Sequence, residues 1–106
     1  MPSEIGFADG EILSYRKEAN RLTLAINAWN DRRIGVIFDE VLRFCDFGGV
    51  DISNVVELSG DTEFLKNAVR RAYDSPPEPH GFRHFQVLAV DEACILEIVA
   101  KTVQVI

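Results

Sequence analysis

The clearest pattern in the chain runs through Arg21–Phe38, RLTLAINAWNDRRIGVIF, where two alternating apolar runs flank a short polar break at Asn30–Arg33. Alternation puts every second side chain on one face of a strand. The stretch therefore predicts a β-hairpin, with Leu22, Leu24, Ile26 and Ala28 on the inner face of one strand and Ile34, Val36 and Phe38 on the other. Trp29, the single tryptophan, falls on the opposite parity just before the turn and reads as either core or contact surface. Upstream, Glu11–Glu18 gives a further strand, with Leu13 and Tyr15 on one face and Ile12, Ser14 and Arg16 on the other. Ala19–Asn20 is a tight connection in which Asn suits a left-handed backbone. Residues 1–10, with Pro2, Gly6 and Gly10, show no period and read as a lead-in.

Beyond Phe38 the pattern divides. Asp39–Phe47 fits a helical turn, capped by Asp39, or a strand, and Gly48–Gly49 ends either one. Val50–Leu58 reads as a strand interrupted near Ser53–Asn54, and residues 39–58 as a whole stay open. An amphipathic helix then begins at Asp61 or Thr62, with Phe64, Leu65, Ala68, Val69, Ala72 and Tyr73 along one face. Acidic Asp61 and Glu63 suit its first turn and basic Arg70 and Arg71 its last. Three prolines within Ser75–Gly81 stop it. A second hairpin closes the chain, Phe82–Val90 and Cys94–Ile106 about Asp91–Glu92–Ala93. The closing strand is apolar on both parities over its centre, as in a central strand or an edge strand used for association.

Together these elements predict an α+β fold: a twisted, mainly antiparallel sheet of about five to seven strands with the 61–73 helix on one face. At 106 residues the chain fits one domain, 1–106. Its hydrophobic content of 47 % is enough for a core without metal or disulfide staples. No apolar run reaches the roughly 18–20 residues of a membrane span, and the start lacks a signal-peptide pattern. The expectation is a cytoplasmic protein in which Cys45 and Cys94 are reduced, although a disulfide between neighbouring strands stays open. The net charge of −6 is shared by both halves and repels phosphate backbones and anionic lipid, so neither nucleic acid nor membrane is expected as a partner.

Chemistry-bearing patterns are sparse. His80 and His84 are four apart, but on a strand that separates them by about 13 Å, too far for one metal ion, and neither a metal nor another cofactor is expected. Cys94 follows an acidic turn that would raise its thiol pKa. The adjacent carboxylates Asp39–Glu40 and Asp91–Glu92 point apart and read as turn residues. Asp46-Phe47-Gly48 matches a kinase metal-binding triplet without the rest of a kinase around it. Pro76–Pro79 can be written as PxxP but reads as a stiff connector. Lys66, Arg70 and Arg71 form a basic strip that Glu63 and the helix dipole account for. Aromatic side chains are enriched at interface hot spots, so Trp29 and Tyr15, with acidic Asp39, Glu40, Asp91 and Glu92, are the candidate interaction surface.

The order LTLAINAW, a polar turn, IGVIF with its acidic pair, a later amphipathic helix and the closing HFQVLAVDEACILEIVAKTVQVI resembles the small bacterial α+β proteins of the toxin-immunity type. The resemblance lies in layout and carries no catalytic residues. It implies a cytoplasmic, non-enzymatic protein that occludes the active surface of a toxin, and the acidic charge would suit a basic one such as a nuclease. Two other readings stand beside it. One is a self-associating domain whose closing strand pairs across a two-fold axis; the other is a ligand-binding or enzymatic domain with a pocket between helix and sheet, lined from Phe38, Phe64 and Phe85.

Overall fold

The computed structural model describes residues 3–4, 10–28, 32–49, 51–60, 62–73, 75, 81–89 and 91–106. Among them lie β1 (Ser3–Glu4), β2 (Gly10–Glu18), β3 (Arg21–Ala28), β4 (Arg33–Asp39), β5 (Arg43–Asp46), β6 (Asp51–Ile52), β7 (Asn54–Leu58), α1 (Glu63–Ala72), β8 (Arg83–Leu88), β9 (Cys94–Ala100) and β10 (Thr102–Val105). Every strand pairing is antiparallel. The α+β class with a mainly antiparallel sheet and one helix follows the sequence reading, but the single sheet does not. The described residues form two five-stranded sheets, in the orders β1-β7-β8-β9-β5 and β10-β4-β3-β2-β6.

The second sheet arises because long strands bend from one layer into the other. Asp39 faces Thr102 and Val36 faces Val105 in one sheet, while Arg43 faces Val99 and Asp46 faces Leu96 in the other. Between these pairs, residues 40–42 stand against 100–101, so the register shifts by one and both strands turn a corner. Glu40 takes a left-handed φ of 53° there. The corner keeps its backbone bonds: Val41 N–H donates to Asn20 O at 2.7 Å, Leu42 N–H to Val99 O at 2.7 Å and Lys101 N–H to Asp39 O at 3.1 Å. Asp39 is thus the end of a strand, bound by Arg21 Nε at 2.7 Å, and caps no helix. A third crossing is the break at Ser53 between β6 and β7, where the sequence placed an interruption.

The core fills the space between the layers. Leu22, Leu24, Ile26, Val36 and Phe38 from β3–β4 meet Val55, Phe85, Val87, Leu96 and Ile98 from the other sheet, all essentially without solvent contact. Phe38 and Phe85 touch at a ring separation of 5.2 Å. The predicted inner face of the hairpin is therefore the core face, and the hairpin residues 29–31, Trp29 included, lie outside the described residues. In β9 the even positions Leu96, Ile98 and Ala100 face this core, whereas Val103 of β10 packs on it from an odd position. The bend at Lys101 accounts for the change, since one irregular residue reverses which parity points inward. The same effect explains Ile12 and Tyr15. A bulge between Ile12 and Ser14 sets Ile12 opposite Ile26 and Tyr15 opposite Leu24, so residues three apart share the inward side. In the turn that follows, it is Ala19 that carries the left-handed φ, 51°, rather than Asn20.

Helix α1 covers the outer face of the β8–β9 sheet. Thr62 caps it, its hydroxyl accepting from Leu65 N–H at 3.2 Å, and Tyr73 ends it in extended conformation. Asp61 lies outside the described residues. Leu65, Ala68 and Val69 pack with Phe82 and Val99, with Phe64 and Leu42 at the margin, while Ala72 and Tyr73 at the end of the predicted face are exposed. Glu63 and Lys66 pair loosely at 3.8 Å, as the basic strip suggested. No helix among the described residues is long and apolar enough to cross a membrane.

Because Phe38 sits at the centre of contact between the layers, its truncation cannot be absorbed by one sheet. Phe38→Ala is expected to cost about 3–5 kcal/mol, measured as a lower urea midpoint with an unchanged dependence on denaturant.

Candidate functional site

Two places bring together side chains capable of more than packing. The first lies on the outer face of the β8–β9 sheet, beneath the start of α1. Here His84 of β8 faces Val99 of β9, and Gln86 faces Glu97. His84 is 3 % exposed, and Phe64 stacks on its ring at 4.9 Å, with the Arg43 guanidinium over the Phe64 ring at 4.7 Å. Thr62 Oγ1 is 2.7 Å from His84 Nδ1. That oxygen also accepts the Leu65 N–H, so it ties the helix cap to the imidazole, with its role toward Nδ1 set by the tautomer. Nε2 has no hydrogen-bond partner, since Glu97 Oε2 at 3.6 Å is too distant. Glu97 is instead bound by Gln86 Nε2 at 2.9 Å.

The chemistry of this cluster is that of a neutral, buried histidine. Burial lowers the His84 pKa and outweighs the pull of the Glu97 carboxylate. The Cys94 thiol is pushed up to about 11, first by burial and then by Glu97. The direction matches the sequence reading, but the acidic neighbour is Glu97, three residues along the same strand, rather than Asp91–Glu92. A thiol at that value is protonated at neutral pH and a poor nucleophile. Cys45 and Cys94 are both free. Among the described residues no group of three or more His, Cys, Asp and Glu side chains could hold a metal, and His80 lies outside them. The expected pocket lined by Phe38, Phe64 and Phe85 does not form, because Phe64 lies on the outer face of the sheet and the other two lie between the layers. What α1 leaves open is a shallow hollow of about 280 Å³ beside Leu42, Arg43 and Arg71.

The second place is the open side of the two layers, where β5 ends one sheet and β2 runs past its short pairing with β6. Tyr15 reaches across this side from β2. Its ring meets Phe44 edge-on at 5.2 Å and its hydroxyl donates to Asp46 Oδ2 at 2.7 Å. Gly48 N–H donates to Asp46 Oδ1 at 2.8 Å. The Asp46-Phe47-Gly48 triplet is thus a carboxylate-closed turn, and the left-handed φ of 92° at Gly48 and 107° at Gly49 requires glycine. The Tyr15 bond, then the Gly48 bond, lower the Asp46 pKa, while that same carboxylate raises the Tyr15 pKa. Beside this link lies a groove of about 380 Å³, lined by Ile12, Leu13, Tyr15, Asp46, Gly49 and Leu96 among others.

Around the groove, large apolar side chains face solvent: Leu13 and Tyr15 at just over 40 % and Phe47 at 61 %. In the β2–β6 ladder Glu11 and Asp51 sit directly opposite each other, both exposed. Like charges in that position oppose the pairing. The sequence reading named Tyr15 but missed Leu13, Phe47, Glu11 and Asp51. An aromatic residue immediately before two glycines was a usable signal for Phe47; the bulge that turns Leu13 outward left none. The other candidates disperse. Asp39 and Glu40 stand at the corner, and Asp91 and Glu92 in the β8–β9 turn, where Asp91 accepts from Ala93 N–H at 3.1 Å. These two pairs occupy opposite ends of β9, about 20 Å apart by strand rise. Searches of protein families, characterised proteins and solved structures find no match to this chain.

Two measurements check this geometry. An unfolded histidine takes up its proton near its ordinary value of 6.5, whereas buried His84 does so at lower pH, so acidification favours the unfolded chain. The His84 contribution is complete above about pH 6.5 and is lost as the pH falls from there toward the folded pKa. Thermal melting between pH 8 and pH 5 should show this loss, and His84→Gln should flatten it; an unchanged slope would contradict the burial account. On the open side, Tyr15→Phe removes the main cause of the Asp46 shift, so a carboxylate NMR titration should show the Asp46 pKa rising toward 3.8.

Proposed function

We propose that this chain is a protein-binding module that docks its partner on the open side of the sandwich. The observation that carries the reading is the groove lined by exposed Leu13 and Tyr15, with exposed Phe47 in the adjoining Asp46–Gly49 turn and the like-charged Glu11–Asp51 pair in the neighbouring β2–β6 ladder. Apolar side chains grouped in the open are costly to keep hydrated, and a carboxylate pair opposed across a ladder weakens it. A partner presenting apolar side chains with lysine or arginine beside them relieves both. Tyr15 is already fixed by Asp46 and Phe44, so little rotamer freedom is lost when it is covered.

In its sharper form the module is an immunity-type inhibitor, an acidic protein that covers the working surface of a basic toxin. The net charge of −6 supports fast association with a cationic partner. The high pKa of Cys94 and the neutral, enclosed His84 support a binding rather than a catalytic role for the clustered polar residues.

The test is recovery of a partner by tagged protein from its native cells, comparing the wild-type chain with Phe47→Glu. Phe47 is largely outside the packing, so this change should leave the melting temperature within about 2 °C. A basic protein retained by the wild-type chain, lost with Phe47→Glu and released by salt is the expected result. Equal recovery of that protein with both chains would overturn the placement of the interface.

A further inference from the structure

On the far side of the molecule from this groove, β10 forms the outer edge of the second sheet, paired only with β4 among the described residues. Its hydrogen-bond phase follows from one pair: Gly35 N–H donates to Ile106 O at 2.9 Å and Ile106 N–H to Gly35 O at 2.8 Å. In an antiparallel ladder such exchanging pairs recur at every second residue. Gln104 with Ile37 and Thr102 with Asp39 are therefore of the same kind. The N–H and C=O groups of Val103 and Val105 consequently point away from β4, along the free edge.

Free edges are ordinarily blunted by charge, and elsewhere in this molecule they are. β5 carries Arg43 and Asp46, β6 carries Asp51, and β2 beyond its pairing with β6 carries Arg16, Lys17 and Glu18. The β10 strand, Thr-Val-Gln-Val, carries none, and Ile106 adds a further uncharged side chain. Val105 is 43 % exposed although it stands on the core side of the sheet, opposite Val36. In a chain whose net charge opposes the approach of a second copy, an uncharged strip is where two copies meet with least repulsion.

We infer that β10 pairs antiparallel with β10 of a second copy about a two-fold axis at Gln104, joining two five-stranded sheets into one. In this register Val103 of each copy faces Val105 of the other and exchanges both backbone bonds with it, which makes four hydrogen bonds, while the two Gln104 residues face each other as the non-bonded central pair. The valines then lie together on the inner side and cover the exposed part of Val105. The contact is self-complementary, as a two-fold interface requires, and it leaves the Tyr15–Phe47 groove free, so it stands or falls apart from the function proposed above.

Sedimentation equilibrium of the full chain should give a mass rising with concentration from 11.9 kDa toward twice that value. Val105→Lys should hold the mass at 11.9 kDa with unchanged melting. For the register, Gln104→Cys in a Cys45→Ser, Cys94→Ser background should form a disulfide-linked dimer on mild oxidation, because facing non-bonded residues bring the Cβ atoms within bridging range. Thr102→Cys in that background should not, since position 102 lies opposite 106 of the other copy. Should the double-Ser background fail to fold, cross-linking of Gln104→Lys by a short amine-reactive reagent replaces it. A wild-type chain that stays at 11.9 kDa into the millimolar range, or a dimer that Val105→Lys leaves intact, overturns the inference.

Discussion

The corner at residues 40–42 and 100–101 is the constraint on which the rest of this structure depends. Two long strands stay hydrogen-bonded to each other while both leave one layer and enter the next. Without that turn β2, β3 and β4 would extend the same sheet as β7, β8 and β9, and their apolar faces would lie side by side rather than opposed. Bending brings Phe38 onto Phe85 and closes a core that neither sheet could bury alone. The left-handed Glu40 and the extra residue on its strand are local costs, offset by the burial they allow. Arg83 and Glu57 close the rim of that core with two charge-assisted bonds, of 3.0 and 2.6 Å, at the corner end of β8.

The helix is bound to this frame by both apolar and polar contacts. Leu65, Ala68 and Val69 supply the burial, and Thr62 fixes the N-terminus by serving two neighbours, the Leu65 amide and His84. A cap that is also a tertiary contact couples the start of the helix to its docking. The enclosed histidine follows from this arrangement, because Phe64 and Thr62 cover an imidazole that the bare sheet would expose.

Among the described residues two surfaces stay open. The open side keeps Leu13, Tyr15 and Phe47 exposed, and there we propose that a cationic protein partner docks. The β10 edge, paired only with β4 among the described residues, carries no charged side chain, and there we propose that a second copy pairs. On these two proposals each protomer of a pair presents one groove.

Local patterns in the sequence determined much of the secondary structure. Alternation marked the hairpin core from Leu22 to Phe38, the 3.6-residue period marked the face of α1, the polar Ser53 marked the break between β6 and β7, and Gly48–Gly49 marked the end of β5. Those signals are local because each depends on the geometry of a few consecutive residues. The second sheet was not legible, because a strand that bends between layers shows the same composition as one that continues straight; only the pairing partner reveals the register shift. The reversal of parity between Ala100 and Val103 and the outward turn of Leu13 at its bulge have the same origin. Candidate residues fared accordingly: Tyr15 was named as an aromatic, but its link to Asp46 spans 31 positions, and the opposition of Glu11 to Asp51 exists only in the ladder. The chemistry of each residue was present in the sequence, whereas which residues meet was decided by tertiary pairing, since contacts between distant segments leave no periodic trace in a single chain.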